Sequence, residues 1–206
     1  MGKVNSMKFR WRRIPYYLSA LAQILPKTDW LNKEIVINGI KLRFAKYTDL
    51  LEIKEVILDQ EYDNETVKLD DKDRVVVDIG AGVGDFTIMA AKRYPDSVIY
   101  AYEPDDNRFK LFEINLALNG IENVKSIKQA VTSLNRKIDF LKIDCEGGEY
   151  DLLKNIKKVN KIAMELHLNY GDGEKLLKNL VDSGFKVETS KMSDVPELMH
   201  VFARKQ

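Results

Sequence analysis

An α/β fold around one mostly parallel sheet is predicted by three observations on the sequence. From Arg74 onward, short apolar runs alternate with stretches of helical periodicity, the pattern of a βαβ series. The first of these runs, VVVDI, breaks into a loop with Gly80, Gly82 and Gly84 at every second position before the next helix. The following apolar run, SVIYAYEP, ends in an acid, Glu103, about 20 residues beyond the last of those glycines.

Each element has its own signal. Residues 34–44 alternate apolar and polar on both sides of Asn38-Gly39, which predicts a β-hairpin. A broad apolar face of Leu50, Leu51, Ile53, Val56, Ile57 and Leu58 predicts a helix over 48–62. Strands are expected at 74–79, 97–102, 124–130, 138–144 and 161–167. Helices are expected at 84–93, at 106–119 ending on Asn119-Gly120, and at 148–157 after Gly147-Gly148. A further helix at 173–183 carries Leu176, Leu177, Leu180 and Val181 on one face and stops at Gly184. Segments 185–189 and 199–204 close the chain as a strand pair. We divide it into an N-terminal helical and hairpin extension, 1–70, packed on a core domain, 71–206.

Composition excludes several classes. The 206 residues are 45% hydrophobic and carry 33 basic against 32 acidic side chains, a formal net charge of +1, so no global field draws in nucleic acid or an anionic membrane. One cysteine, Cys145, cannot make an internal disulfide, and a cytoplasmic setting is expected. Lys8, Arg10, Arg12 and Arg13 precede an apolar run, 14–25, in the order of a signal peptide. That run holds Pro15 and Gln23 and is shorter than the ~20 apolar residues of a membrane span. An amphipathic helix capping the domain is expected there, with peripheral membrane contact as the alternative.

The glycine loop, Asp78 to Gly84, places backbone where a ligand can approach without meeting a Cβ. A dinucleotide fingerprint would require glycine at position 85, which is Asp85, so a plain NAD site is disfavoured. Glu103 stands where a carboxylate can accept from both hydroxyls of a ribose. An acid at the loop mouth, Asp78, repels pyrophosphate but suits a ligand bearing an ammonium and a sulfonium, which points to S-adenosylmethionine. Asp78, Gly80, Ala81, Gly82, Gly84, Glu103, Pro104, Gln129 and Asp144 are the expected cofactor-binding residues.

The run IDFLKIDCEGGEYDLL at 138–153, with the glycine loop, resembles the FkbM family of methyltransferases, whose Leu-Lys-Ile-Asp-x-Glu-Gly-x-Glu motif follows the cofactor loop. The resemblance extends to EIKEVILDQEYDN in the helix before the first strand and to MELH at 164–167. It implies a Rossmann-like class I methyltransferase sheet of order 3-2-1-4-5-7-6 with the last strand pair antiparallel. It also implies methyl transfer to an oxygen on a small hydroxylated molecule or glycan. Asp144, Glu146 and Glu149 fall on its acidic signature. The sequence departs from the family in its short link between third and fourth strands, 131–137, and in carrying Gln129 where an adenine-binding acid is common.

An alcohol acceptor must lose its proton, and in open α/β sheets the site lies beyond the carboxyl ends of the strands. Asp144 and Glu146 end the fourth strand, and Glu165 and His167 the fifth. Their convergence permits a general base, with His167 and Asp144 first and Glu146 behind them, or a divalent cation site. No compact metal-ligand motif is present, so no metal ligand is assigned. Lys142 is expected to pair with one of these acids. Cys145 and His200 read as structural, and Tyr62 as a packing residue or a lid. RNA or protein methylation, with Lys8 to Arg13 and Trp11 as an anchor, and a non-catalytic cofactor-binding domain are the alternative functions.

Overall fold

The computed structural model describes residues 33–154, 156–191 and 195–206. The helix expected over 14–25 and the basic segment before it lie outside them. A hairpin comes first, β1 (Lys33–Ile37) and β2 (Ile40–Phe44), turning on Asn38 and Gly39, which both have positive φ. After α1 (Tyr47–Ile57) the alternation begins: β3 (Val75–Ile79), α2 (Asp85–Arg93), β4 (Val98–Tyr102), α3 (Asp106–Asn119), β5 (Val124–Ile127) and β6 (Ile138–Ile143). It continues with α4 (Glu149–Leu152), β7 (Val159–His167), α5 (Gly173–Asp182), β8 (Phe185–Lys191) and β9 (Leu198–Lys205).

The seven main strands lie in the order β5-β4-β3-β6-β7-β9-β8. Counted from β3 this is 3-2-1-4-5-7-6. Pairing is parallel as far as β7, while β9 runs antiparallel to both β7 and β8. The sheet is a Rossmann-like class I methyltransferase sheet, as expected.

The VVVDI run is apolar except at Asp78 because both faces of a central parallel strand are covered. Val76 packs with Phe86, Ile88, Ile99 and Phe112 on one side, and Val77 and Ile79 with Leu141, Ile162 and Leu176 on the other. Each such side chain contributes about 1.5–3 kcal/mol of burial. The hairpin joins the first layer through Ile40, Leu42 and Phe44. The free edge of β2 is completed by side-chain amides: Asn115 and Asn119, one helical turn apart on α3, pair with the main chain of Arg43 and Lys41 at 2.7–3.0 Å.

Two helices are shorter than expected. α1 stops at Ile57 rather than 62, because Gln60 takes positive φ and lets Tyr62 drop into the core against Phe86. α4 spans only 149–152 rather than 148–157, because the chain must bury Ile156 and turn directly into β7, where the Val159 amide donates to the Ile156 carbonyl. β5 ends at Ile127 rather than 130, where the Gln129 amide folds back onto the Ile127 carbonyl. No helix among the described residues is long and apolar enough to cross a membrane.

Candidate active site

A cavity of about 650 Å3 opens at the carboxyl ends of the parallel strands, roofed by α1 and the segment through Tyr62. This volume falls within the range typical of cofactor pockets. The glycine loop forms its floor. Gly80 has φ +75°, and a Cβ there would lie 1.7 Å from the Asp144 carbonyl oxygen, so only glycine lets the ends of β3 and β6 meet. Gly82, at φ +57°, leaves room for the Arg108 guanidinium, 2.5 Å from where its Cβ would stand. Arg108 then reaches across to Glu52 on α1 and ties that helix over the loop.

Glu103 is buried and lines the cavity, with one carboxylate oxygen taking the Gly82 amide at 2.8 Å and the other the Asp105 amide at 2.9 Å. Each oxygen keeps a further lone pair for a ligand. Ala81, Pro104 and Gln129 also line this side.

Asp78 is placed differently from expectation. Its carboxylate is fully buried beneath the loop, bonded by the Thr87 hydroxyl at 2.6 Å and paired with Lys142 at 3.2 Å, so it lies off the cavity wall. The parallel register sets Asp78 directly opposite Lys142, so the lysine pairs with this acid of the neighbouring strand and not, as the sequence suggests, with one of the acids that follow its own strand. The Lys142 ammonium also donates to the Gly80 carbonyl at 2.7 Å and lies 5.2 Å from the centre of the Tyr62 ring. Burial works against its charge, but Asp78 and Asp144 hold its pKa above the usual lysine value. Gly84 likewise stands off the wall, packed against Phe112 as the residue preceding α2.

The opposite wall brings Asp144, Glu165 and His167 together, with one ligand atom of each within 4.8 Å of the others. Burial, aided by Glu165 and opposed by Lys142, lifts the Asp144 carboxyl to about 6. The Tyr62 hydroxyl reaches it at 3.5 Å. His167 Nδ1 sits 2.6 Å from a carboxylate oxygen of Glu149, a fully buried acid, and this bond raises the imidazole pKa. Glu146 does not join the cluster: it is exposed on the cavity rim with φ +47°, in the tight turn that swings Glu149 inward. Cys145 is half-buried, and burial pushes its thiol up to about 12, so it is inert at neutral pH.

Deeper along the same wall, His200 Nε2 stands 3.2 Å from Glu165 and 3.9 Å from Glu61. Although burial alone would raise it, the His200 bond holds Glu165 below the usual glutamate value. Burial and the neighbouring Glu165 lift Glu61 to about 10. The sequence reading missed Glu52, Arg108, Glu61 and the Glu149–His167 pair. A signal existed for Lys142, since a lone lysine inside an apolar strand needs a buried carboxylate, but Glu61 and His200 are joined only by folding.

The TRM5/TYW2 methyltransferase domain family matches residues 44–145, and the methyltransferase FkbM domain family matches residues 123–190. Methyltransferase 1 of Beauveria bassiana is 34% identical over 73 residues, 35% of this chain and 28% of its own. A probable cobalt-precorrin-6B C(15)-methyltransferase (decarboxylating) of Methanocaldococcus jannaschii is 33% identical over 99 residues, 48% of this chain and 50% of its own. The chain thus matches half or less of the length of these curated relatives. Among solved structures, M. jannaschii TYW2 in complex with AdoMet superposes with a TM-score of 0.57 at 22% identity, covering 84% of each chain. Similarity at this level establishes the fold.

Proposed function

We propose that the chain is an S-adenosylmethionine-dependent methyltransferase that acts on a hydroxyl of a small molecule or glycan. The observation that carries the reading is the two-sided cavity, with a glycine floor and the Glu103 carboxylate on one wall and the Asp144–His167 cluster on the other. The fit to the cofactor rests on the glycine loop, whose Gly80, Ala81 and Gly82 line the cavity, and on an acidic lining suited to a sulfonium. Glu103 would hold the ribose hydroxyls, the main chain of Gly80 to Gly82 would line the adjoining part of the ligand, and Pro104 and Gln129 would line the base.

S-adenosylmethionine supplies an activated methyl group when bound. The chain contributes alignment and proton removal. Glu149 fixes the His167 ring through Nδ1 and raises its basicity, which leaves Nε2 to take the acceptor proton. Asp144, half-buried beside it, stabilises the imidazolium that results. Residues of α1 and Tyr62 form the roof on the substrate side.

Transfer to RNA is the rival suggested by the match to the TRM5/TYW2 family. Nine carboxyl and three cationic side chains line the cavity, and two of the cations, Lys142 and Arg108, are already paired, which weighs against a polyanionic acceptor. Calorimetric titration with S-adenosylmethionine, S-adenosylhomocysteine and NAD tests the cofactor, with failure of the first two to bind rejecting the reading. Labelled methyl transfer to a panel of hydroxylated metabolites and glycans, against transfer RNA, tests the acceptor. Asp144→Asn is expected to lower turnover far more than cofactor affinity; equal losses in both would make Asp144 a binding residue only.

A further inference from the structure

Glu61, Glu165 and His200 come from a loop, β7 and β9, and each offers a ligand atom within 4.8 Å of the others. The β7–β9 register sets Glu165 directly across from His200. Metal–ligand bonds of about 2.0–2.2 Å place neighbouring donors about 2.8–3.6 Å apart. The observed 3.2 Å from His200 Nε2 to Glu165 lies inside that range, and the 3.9 Å to Glu61 needs only a small side-chain movement.

A second observation points to a ligand rather than a closed ion pair. The Glu61 side chain is only 7% exposed, yet its carboxyl accepts no hydrogen bond among the described residues and is aimed at His200 and Glu165 from the cavity wall. Buried carboxyls are ordinarily satisfied by donors or a cation. The nearby cavity cations are committed elsewhere, Lys142 to Asp78 and Gly80 and Arg108 to Glu52. We propose that Glu61, Glu165 and His200 bind a divalent transition-metal ion, of the manganese or zinc class that mixed carboxylate and imidazole ligands favour.

Such an ion sits beside Asp144 and His167, because Glu165 belongs to both clusters. Its use, lowering the pKa of an acceptor hydroxyl, rests on the methyl-transfer reading. Its existence does not, so the test reads binding in the absence of cofactor and acceptor.

Chelator-treated full chain is titrated with Mn2+ and the free ion followed by electron paramagnetic resonance, with Zn2+ as competitor. One ion per chain is expected, with a Kd of about 100 µM or tighter, within the span of carboxylate-rich sites. Glu61→Gln and His200→Ala should each weaken it at least about 10-fold, the loss seen even for groups that only support a ligand, while His167→Ala leaves it within about twofold. Circular dichroism of each variant establishes that it is folded; His200→Gln replaces His200→Ala if the latter is not. Mn2+ should also raise the Tm of the parent chain and not that of Glu61→Gln. Absence of stoichiometric binding overturns the proposal. So does binding lost in His167→Ala but kept in His200→Ala, which would move the ion to Asp144, Glu165 and His167.

Discussion

Lys142→Met should be among the most damaging single changes in this chain. The lysine side chain is 4% exposed and its ammonium has two fixed partners, the Asp78 carboxylate at 3.2 Å and the Gly80 carbonyl at 2.7 Å. Methionine fills nearly the same volume, so packing changes little. What changes is electrostatic. Asp78, fully buried, keeps only the Thr87 hydroxyl, and removing one partner of a buried pair costs about 3–5 kcal/mol. Domains of this kind have about 5–15 kcal/mol in total, so the loss is a large share. Asp78→Asn is milder, about 1.5–3 kcal/mol, because Lys142 keeps the Gly80 carbonyl. The double variant removes both charges together and should cost less than the sum of the two by about 1–3 kcal/mol. Urea unfolding followed by circular dichroism measures all four proteins. A Lys142→Met loss under about 1 kcal/mol, or strict additivity in the cycle, would refute the idea that this pair supports the loop.

Three further outcomes are expected. Gly80→Ala forces a Cβ to 1.7 Å from the Asp144 carbonyl, so a loss of about 3 kcal/mol or more is expected in thermal or urea unfolding, with cofactor binding abolished. Glu103→Ala should weaken S-adenosylmethionine binding by a few kcal/mol at most by calorimetry, and an unchanged Kd rejects the ribose role. Asp85, buried at the start of α2, has its carboxyl raised by burial from the model-peptide value of 3.8 to about 7. A carboxyl raised on folding favours the native state while protonated, so its contribution is complete below pH 3.8 and is lost as pH rises through about 7. Asp85→Asn should therefore gain stability over the parent at pH 8 relative to pH 4, by a few kcal/mol at most; a parallel pair of stability–pH curves would contradict this.

Legibility in the sequence followed the range of the interactions. The hairpin at Asn38-Gly39, the helix 106–119 and the strand–loop–helix at 75–93 were readable because their determinants lie within a few residues. Elements shortened by tertiary demands were not: α1 and α4 end early because Tyr62 and Ile156 are drawn into cores that periodicity cannot foresee. Asp78 was assigned to the cavity because it precedes the loop, whereas the strand pleat turns its side chain down toward Lys142.

The sequence by itself determined the α/β class, the glycine floor and the acid at the end of β4, since backbone conformation and strand burial are written in local residue types and spacing. Only the tertiary structure decided how the charges are shared. Strand register put Asp78 against Lys142 and Glu165 against His200. Chain reversal after α1 brought Glu61 and Tyr62 over the cavity, and the turn at Glu146 carried Glu149 beneath His167. The physical reason is that a buried charge takes its state from neighbours a few ångströms away, and here those neighbours lie 18 to 139 residues distant along the chain.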